Sequence, residues 1–166
     1  MSVLSSLFVG IDVSKNSNQV YAMNFDQEKL LSFSAPNDSE GASKIETKLI
    51  ECLNKNNYES VVIVLESTGM YSFHIATYLS ASEYLANYSV LVYCINPKTS
   101  QNYRKSFSEM DKTDPKDSYI LADMARLGKV KSLTPVKGTQ KLALQRLTRH
   151  RKHISEQIVR EKLYVL

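Results

Sequence analysis

Two short runs constrain this chain more than anything else in it: LFVGIDV at residues 7–13 and SVVIVLE at residues 60–66. Both are almost wholly apolar and rich in β-branched residues, the pattern of a strand buried on both faces in the middle of a sheet. Each also carries one acid at or near its end, Asp12 in the first and Glu66 in the second. A carboxylate in such a place is costly unless it is paired or bound to a cation. Sheets with buried parallel strands collect their functional groups at the strands' carboxyl ends, so these two acids mark a candidate site.

The segments between them supply the remaining elements. QVYAMNF (residues 19–25) and KLLSFSA (29–35) read as strands joined to the first by short polar links, an antiparallel meander. Asp38, Ser39 and Glu40 open a helix, with Ala42, Ile45, Leu49 and Leu53 at helical spacing. After Glu66, Ser67, Thr68 and Gly69 turn the chain into a helix over 71–84, followed by a fifth strand, YSVLVYCIN, at 88–96. Pro97 suits the first position of a helix running to about residue 107, and Pro115 that of another ending near 127. The order is β-β-β-α-β-α-β-α-α: an α/β protein with a mixed five-stranded sheet flanked by helices.

Charge divides the chain unequally. Residues 1–100 carry six Lys/Arg and ten Asp/Glu, a balance of −4, whereas residues 101–166 carry fifteen and seven, a balance of +8. Residues 126–152 hold nine basic side chains and no acid, a pattern that faces a polyanion. From residue 130 to 138 the chain reads as a linker with Pro135 and Gly138. From 139 it reads as one long helix. Positions 144, 147, 151, 154, 158, 161 and 165 alternate in steps of three and four, and all but Arg151 and Glu161 are apolar, a coiled-coil-like arm. No capping residue ends the pattern, so the expectation is that the arm continues into a further domain.

Composition excludes several classes. With 43% hydrophobic and 23% charged residues the chain is globular, not disordered. No run approaches the roughly 18 apolar residues of a membrane span, and residues 1–8 lack the basic start of a signal peptide. Cys52 and Cys94 have no CxxC partner, which excludes a cysteine zinc site or a disulfide scaffold and fits a reducing cytoplasm. His150 and His153 stand at i and i+3 among arginines with no third ligand in view.

Asp114 and Asp117 add two more acids near the last globular helix. They share a helical face if that helix starts by Asp114; if it starts at Pro115, Asp114 is its N-cap, close to Asp117. Taken singly, Asp114 is a cap, Asp117 a solvated first-turn acid and Glu66 a strand end; Asp12, inside an apolar run, is the hardest to read in that way. Taken together, four carboxylates repel one another unless divalent cations neutralise them. Oxygen-only ligation suits Mg²⁺ or Mn²⁺ rather than zinc. Two such ions about 4 Å apart activate an attacking hydroxyl and stabilise the leaving oxygen of a phosphodiester.

The order of elements, with acids in these places, resembles the RNase H-like (RuvC-like) nuclease fold. GIDVSK (10–15), LESTGMYS (65–72), INPKTSQNYRKS (95–106) and KTDPKDSYILADMAR (112–126) are together similar to the DEDD transposases of the IS110 insertion-sequence family and the related Piv-type invertases. The resemblance implies a RuvC-like catalytic domain over about 1–130, a linker at 131–138 and a helical arm over 139–166. It implies that Asp12, Glu66, Asp114 and Asp117 are the catalytic and metal-binding quartet, holding two Mg²⁺ or Mn²⁺ ions. It further implies DNA as partner and cleavage and strand transfer during transposition of a mobile element in a bacterial or archaeal cytoplasm. Some members are directed by an element-encoded RNA, and members carry a second domain with a catalytic serine, for which no serine here is a candidate. Ser118 stands where the family often has Ala.

Other residues fit nucleic acid and a plainer role alike. Lys15 reaches a phosphate or serves the turn; Ser67 and Thr68 contact substrate or cap a helix; Tyr71 stacks on a base or packs. Lys98, Asn102, Arg104 and Lys105, beside the fifth strand, contact phosphate or form a solvated helix face. Lys141, Arg146, Arg149, Arg151 and Lys152 are the stronger nucleic-acid candidates. The arm pairs with a second protomer or with a further domain. Set against the transposase reading are a Holliday junction resolvase that needs no serine domain, a non-catalytic nucleic-acid-binding and dimerisation module, and, more distantly, a sugar-kinase-like ATPase.

Overall fold

The chain enters its sheet through the middle. In the computed structural model, which describes residues 3–67, 69, 71–107, 114–136 and 139–164 (without the side chains of 114, 115, 139–142, 145 and 146), β1 (Ser6–Val13) is the central strand. β2 (Ser17–Met23) and β3 (Lys29–Pro36) follow as an antiparallel meander on one side of it. The first reversal is closed locally: Ser14 N donates to Ser17 O at 2.9 Å, and Ser17 N donates to Ser14 Oγ at 3.1 Å. α1 (Ser39–Lys55) starts where Asp38 Oδ1 accepts from Gly41 N at 2.8 Å, satisfying one of the free amides of the first turn.

β4 (Ser60–Glu66) and β5 (Ser89–Ile95) then add on the other side of β1, both parallel to it, giving the order β3-β2-β1-β4-β5. α2 (Tyr71–Ala81) and a short 3₁₀ turn (Leu85–Asn87) connect them. α2 ends at Ala81, three residues earlier than the apolar pattern implied: residues 82–84 turn the chain into the 3₁₀ segment, where Leu85 is buried and its amide is capped by Ser82 Oγ at 3.0 Å. α3 (Pro97–Arg104) and α4 (Asp114–Arg126) complete the mixed sheet with its flanking helices.

Side-chain alternation along β1 builds a core on each face. Leu7, Val9, Ile11 and Val13 pack with Ile45, Leu49 and Leu53 of α1 and Ile75 and Leu79 of α2. Phe8 packs on the opposite side with Val64, Tyr93 and the α4 residues Ile120, Leu121 and Met124. The strand is therefore buried on both faces, as its composition required. Val130 is buried in the second core, and beyond it Val136 N donates to Val92 O of β5 at 2.7 Å.

Two compact units result, Met1–Val136 and Lys137–Leu166. The second is α5 (Thr139–Tyr164), a single helix about 39 Å long at 1.5 Å per residue. Leu144, Leu147, Ile154 and Ile158, four of the spaced apolar residues, are exposed along it. Among the described residues no helix is long and apolar enough to cross a membrane.

Candidate active site

The parallel ladder between β1 and β4 ends at Ile11 and Leu65, so Asp12 and Glu66 leave neighbouring strands side by side at their carboxyl ends. Both are half-buried. Alternation fixes their side of the sheet: Phe8 and Val64 belong to the core under α4, and Asp12 and Glu66 follow them at even spacing. Behind Glu66, Ser67 N donates to Ile95 O at 2.8 Å, tying the strand end to β5. Gly69 then takes φ +63° with open space around its Cβ position, so it is a turn glycine, not a point of close approach.

α4 crosses this face at very short range, and Gly10 makes that possible. A Cβ on Gly10 would fall on the Ser118 carbonyl oxygen, 2.5 Å from Ala122 N and 2.8 Å from Leu121 Cβ. Phe8, nearer the start of β1, shares an apolar cavity with Ala125, nearer the end of α4. The helix therefore runs opposite to the strand, and its first turn lies at the strand's carboxyl end. Asp117, the residue before Ser118, is only 9% exposed there. α4 begins at Asp114, which puts Asp114 and Asp117 three positions apart in one helix; the side chain of Asp114 lies outside the described residues.

α3 contributes a second set of polar contacts that the sequence did not reveal. Asn96 caps this helix, its Oδ1 accepting from Lys98 N at 2.9 Å. Ser100, Tyr103 and Arg104, at i, i+3 and i+4, occupy one face of it. Ser100, 3% exposed, shares its hydroxyl proton between Glu66 Oε2 at 3.1 Å and Pro97 O at 2.9 Å. Tyr103 Oη donates to Asp123 Oδ2 at 2.6 Å. Arg104 Nη2 donates to Asp117 Oδ1 in an ion pair. One helix face thus touches three acids, two of them at the carboxyl edge.

Asp123 is buried at 3% exposure and fully engaged. Its other oxygen accepts from Arg126 Nε at 2.8 Å and Nη2 at 2.6 Å. Burial, and then the hydrogen bond to Asp123, push the Tyr103 hydroxyl well above the usual phenol range. The signal for Asp123 was present in the sequence as an acid inside the apolar run ILADMA, the same signal that marked Asp12. Ser100 and Tyr103 carried none, because small and aromatic residues in a short polar helix read as surface.

The other basic candidates are placed differently. Lys15, Lys98, Asn102 and Lys105 are exposed on the body, whereas Arg104 turns inward to Asp117. Arg149, Arg151 and Lys152 are exposed on α5, where Lys152 Nζ lies 3.8 Å from Glu156 Oε1. The side chains of Lys141 and Arg146, and all of Thr68, lie outside the described residues. Cys52 and Cys94 are free thiols; burial raises both, Cys94 to about 11, so neither is a ready nucleophile.

The donor set at the carboxyl edge, Asp12, Glu66 and Asp117, is made of hard carboxylate oxygens and fits Mg²⁺ or Mn²⁺ in kind. Among the described residues no three His, Cys, Asp or Glu side chains are already gathered around one point. Arg104 is the cation that Asp117 holds.

Comparison with known proteins adds to this geometry. A family model for DEDD transposases of the IS110 type, described as a transposase, matches residues 9–165. Among solved structures, the fold is similar to Thermus thermophilus RuvC, with a TM-score of 0.52 and 12% identity over 78% of this chain and 99% of that one. A second match is T. thermophilus RuvC in complex with a Holliday junction substrate, with a TM-score of 0.51 and 12% identity over 79% and 99%. At that identity the likeness is one of fold. A search of curated proteins found no match.

Proposed function

The chain belongs to the DEDD transposases of the IS110 type, with a RuvC-like fold, and from that premise we propose that its body is the metal-dependent phosphodiester-cleaving and strand-transfer domain of a DNA transposase. Asp12, Glu66, Asp114 and Asp117 are the proposed ligands. One observation carries this reading: neighbouring parallel strands end in Asp12 and Glu66 on the face where the first turn of α4 brings Asp117.

Bound Mg²⁺ or Mn²⁺, two ions in the full complement, would supply charge neutralisation and an activated hydroxyl at that edge. The protein's own part is to hold the carboxylates. β1 and β4 fix Asp12 and Glu66 through the sheet ladder, Ser100 orients one Glu66 oxygen, and Gly10 lets α4 sit low enough to present Asp117. The exposed Arg149, Arg151 and Lys152 of the arm supply sequence-independent contacts to DNA phosphates, and to an element-encoded RNA where one is used. A second protomer pairing along the exposed apolar residues of α5 completes the proposal.

A cleavage assay on duplex and four-way-junction DNA tests this reading. Mn²⁺-dependent nicking is expected from the 166-residue chain, with loss of at least about 100-fold in Asp12→Asn and Glu66→Gln. Undiminished nicking by both variants removes the acids from catalysis. Efficient cleavage confined to junctions favours a resolvase, and nucleic-acid binding without any nicking favours a binding module.

A further inference from the structure

Two arginines of the body are paired with acids of α4, and the two pairs are built differently. Arg126 meets one Asp123 oxygen through Nε and Nη2 together, and Tyr103 donates to the other, so both carboxylate oxygens are engaged. Three donors, two of them from a guanidinium, hold that carboxylate in place. Arg104 meets Asp117 through Nη2 alone, and its Nε is buried without a hydrogen-bond partner among the described residues. A buried unmet donor is unfavourable, so this pair gives up less on exchange than one whose carboxylate is held by three donors. The side chains are 21% and 12% exposed, so the pair is partly shielded from water but still open to the carboxyl edge.

The positions differ as well. Asp123 lies two helical turns from the first turn of α4, whereas Asp117 stands at the edge with Asp12 and Glu66. A guanidinium there supplies the positive charge that the acids need when no ion is bound.

We propose that Arg104 is the resident counter-ion of Asp117, displaced when a divalent cation binds at the carboxyl edge. The proposal rests on the reading of these acids as metal ligands. Arg104 then competes with metal for one carboxylate. It stabilises the metal-free protein and weakens the apparent metal affinity, two effects of opposite sign. A residue that merely braced the site would strengthen both.

The test compares the whole chain with Arg104→Gln and Arg104→Lys, using Mn²⁺ alone as probe in calorimetric titrations, and thermal melts without metal. Arg104→Gln is expected to melt lower without metal, by roughly 3 °C, and to bind Mn²⁺ roughly fivefold more tightly than wild type. Arg104→Lys, which keeps the charge but loses the fork, is expected between the two. A folded Arg104→Gln that binds Mn²⁺ no better than wild type overturns the proposal while leaving the metal reading intact. Should that variant fail to fold, Arg104→Lys decides: tighter binding than wild type supports the exchange, and equal or weaker binding overturns it. Mn²⁺ binding by neither wild type nor variant overturns the metal reading and the exchange with it.

Discussion

Gly10 shows how one missing side chain positions a site. Strand composition alone makes a glycine in LFVGIDV look like a weak point, since glycine adds nothing to a core and loses more entropy on folding. The structure gives the reason for it: the α4 backbone occupies the space a Cβ would take. The two nearest neighbours are backbone atoms and the third is a Cβ fixed to the helix, so none can rotate away. Gly10→Ala is expected to destabilise the body by about 3 kcal/mol, read by denaturant melts, and to weaken Mn²⁺ binding by lifting Asp117 from the edge. A variant as stable as wild type would contradict the close approach. Asp12 and Glu66 were legible because an acid is conspicuous in an apolar run. Ser100 was not, because its role depends on a strand end 34 residues away that no local pattern reveals.

At the scale of elements, α3 is the least legible part. Its eight residues, PKTSQNYR, read as a solvated basic face, and Lys98 and Asn102 are exposed as that reading holds. The opposite face braces acids of β4 and α4, and only the three-dimensional neighbourhood shows which polar residues turn inward. Tyr103→Phe removes a hydrogen bond to a buried charge and is expected to cost about 2 kcal/mol at neutral pH. Its pH dependence has a definite sign. The folded-state pKa of Tyr103 is raised, first by burial, so the neutral phenol is the form the fold accepts. Its stabilising contribution is complete below the free phenol's pKa of about 10 and is lost as the pH rises through the higher folded value. Tyr103→Phe should therefore show a shallower loss of stability above about pH 10 in melts run across the alkaline range. An unchanged alkaline limb would contradict the burial of that hydroxyl. The other elements were legible because their signals are local: buried strands by composition, α1 by its cap and apolar spacing, α4 by its proline and periodicity. The bounds shifted by only a few residues: α2 stops at Ala81 where 84 was expected, and α3 at Arg104 where about 107 was expected.

For the whole molecule, the −4 and +8 stretches of the sequence, residues 1–100 and 101–166, do not map simply onto an acidic body and a basic arm. The edge that gathers Asp12 and Glu66 from the first stretch draws Asp117 and its counter-charge Arg104 from the second. Among the described residues, exposed positive charge without an ion-pair partner includes Lys98 and Lys105 on the body and Arg149 and Arg151 on the arm. Neutralising Arg149, Arg151 and Lys152 together is expected to weaken DNA binding. The salt slope of that binding should fall by about 0.9 for each DNA phosphate the arm no longer neutralises, with the acids' chemistry untouched. The central claim is that the carboxyl edge is a divalent-cation site, and the most direct test is the thermal shift produced by Mn²⁺ in the wild-type chain and in Asp12→Ala. A clear Mn²⁺-dependent rise in melting temperature that Asp12→Ala abolishes is the expected result; an equal rise in both proteins, or none in either, would contradict it.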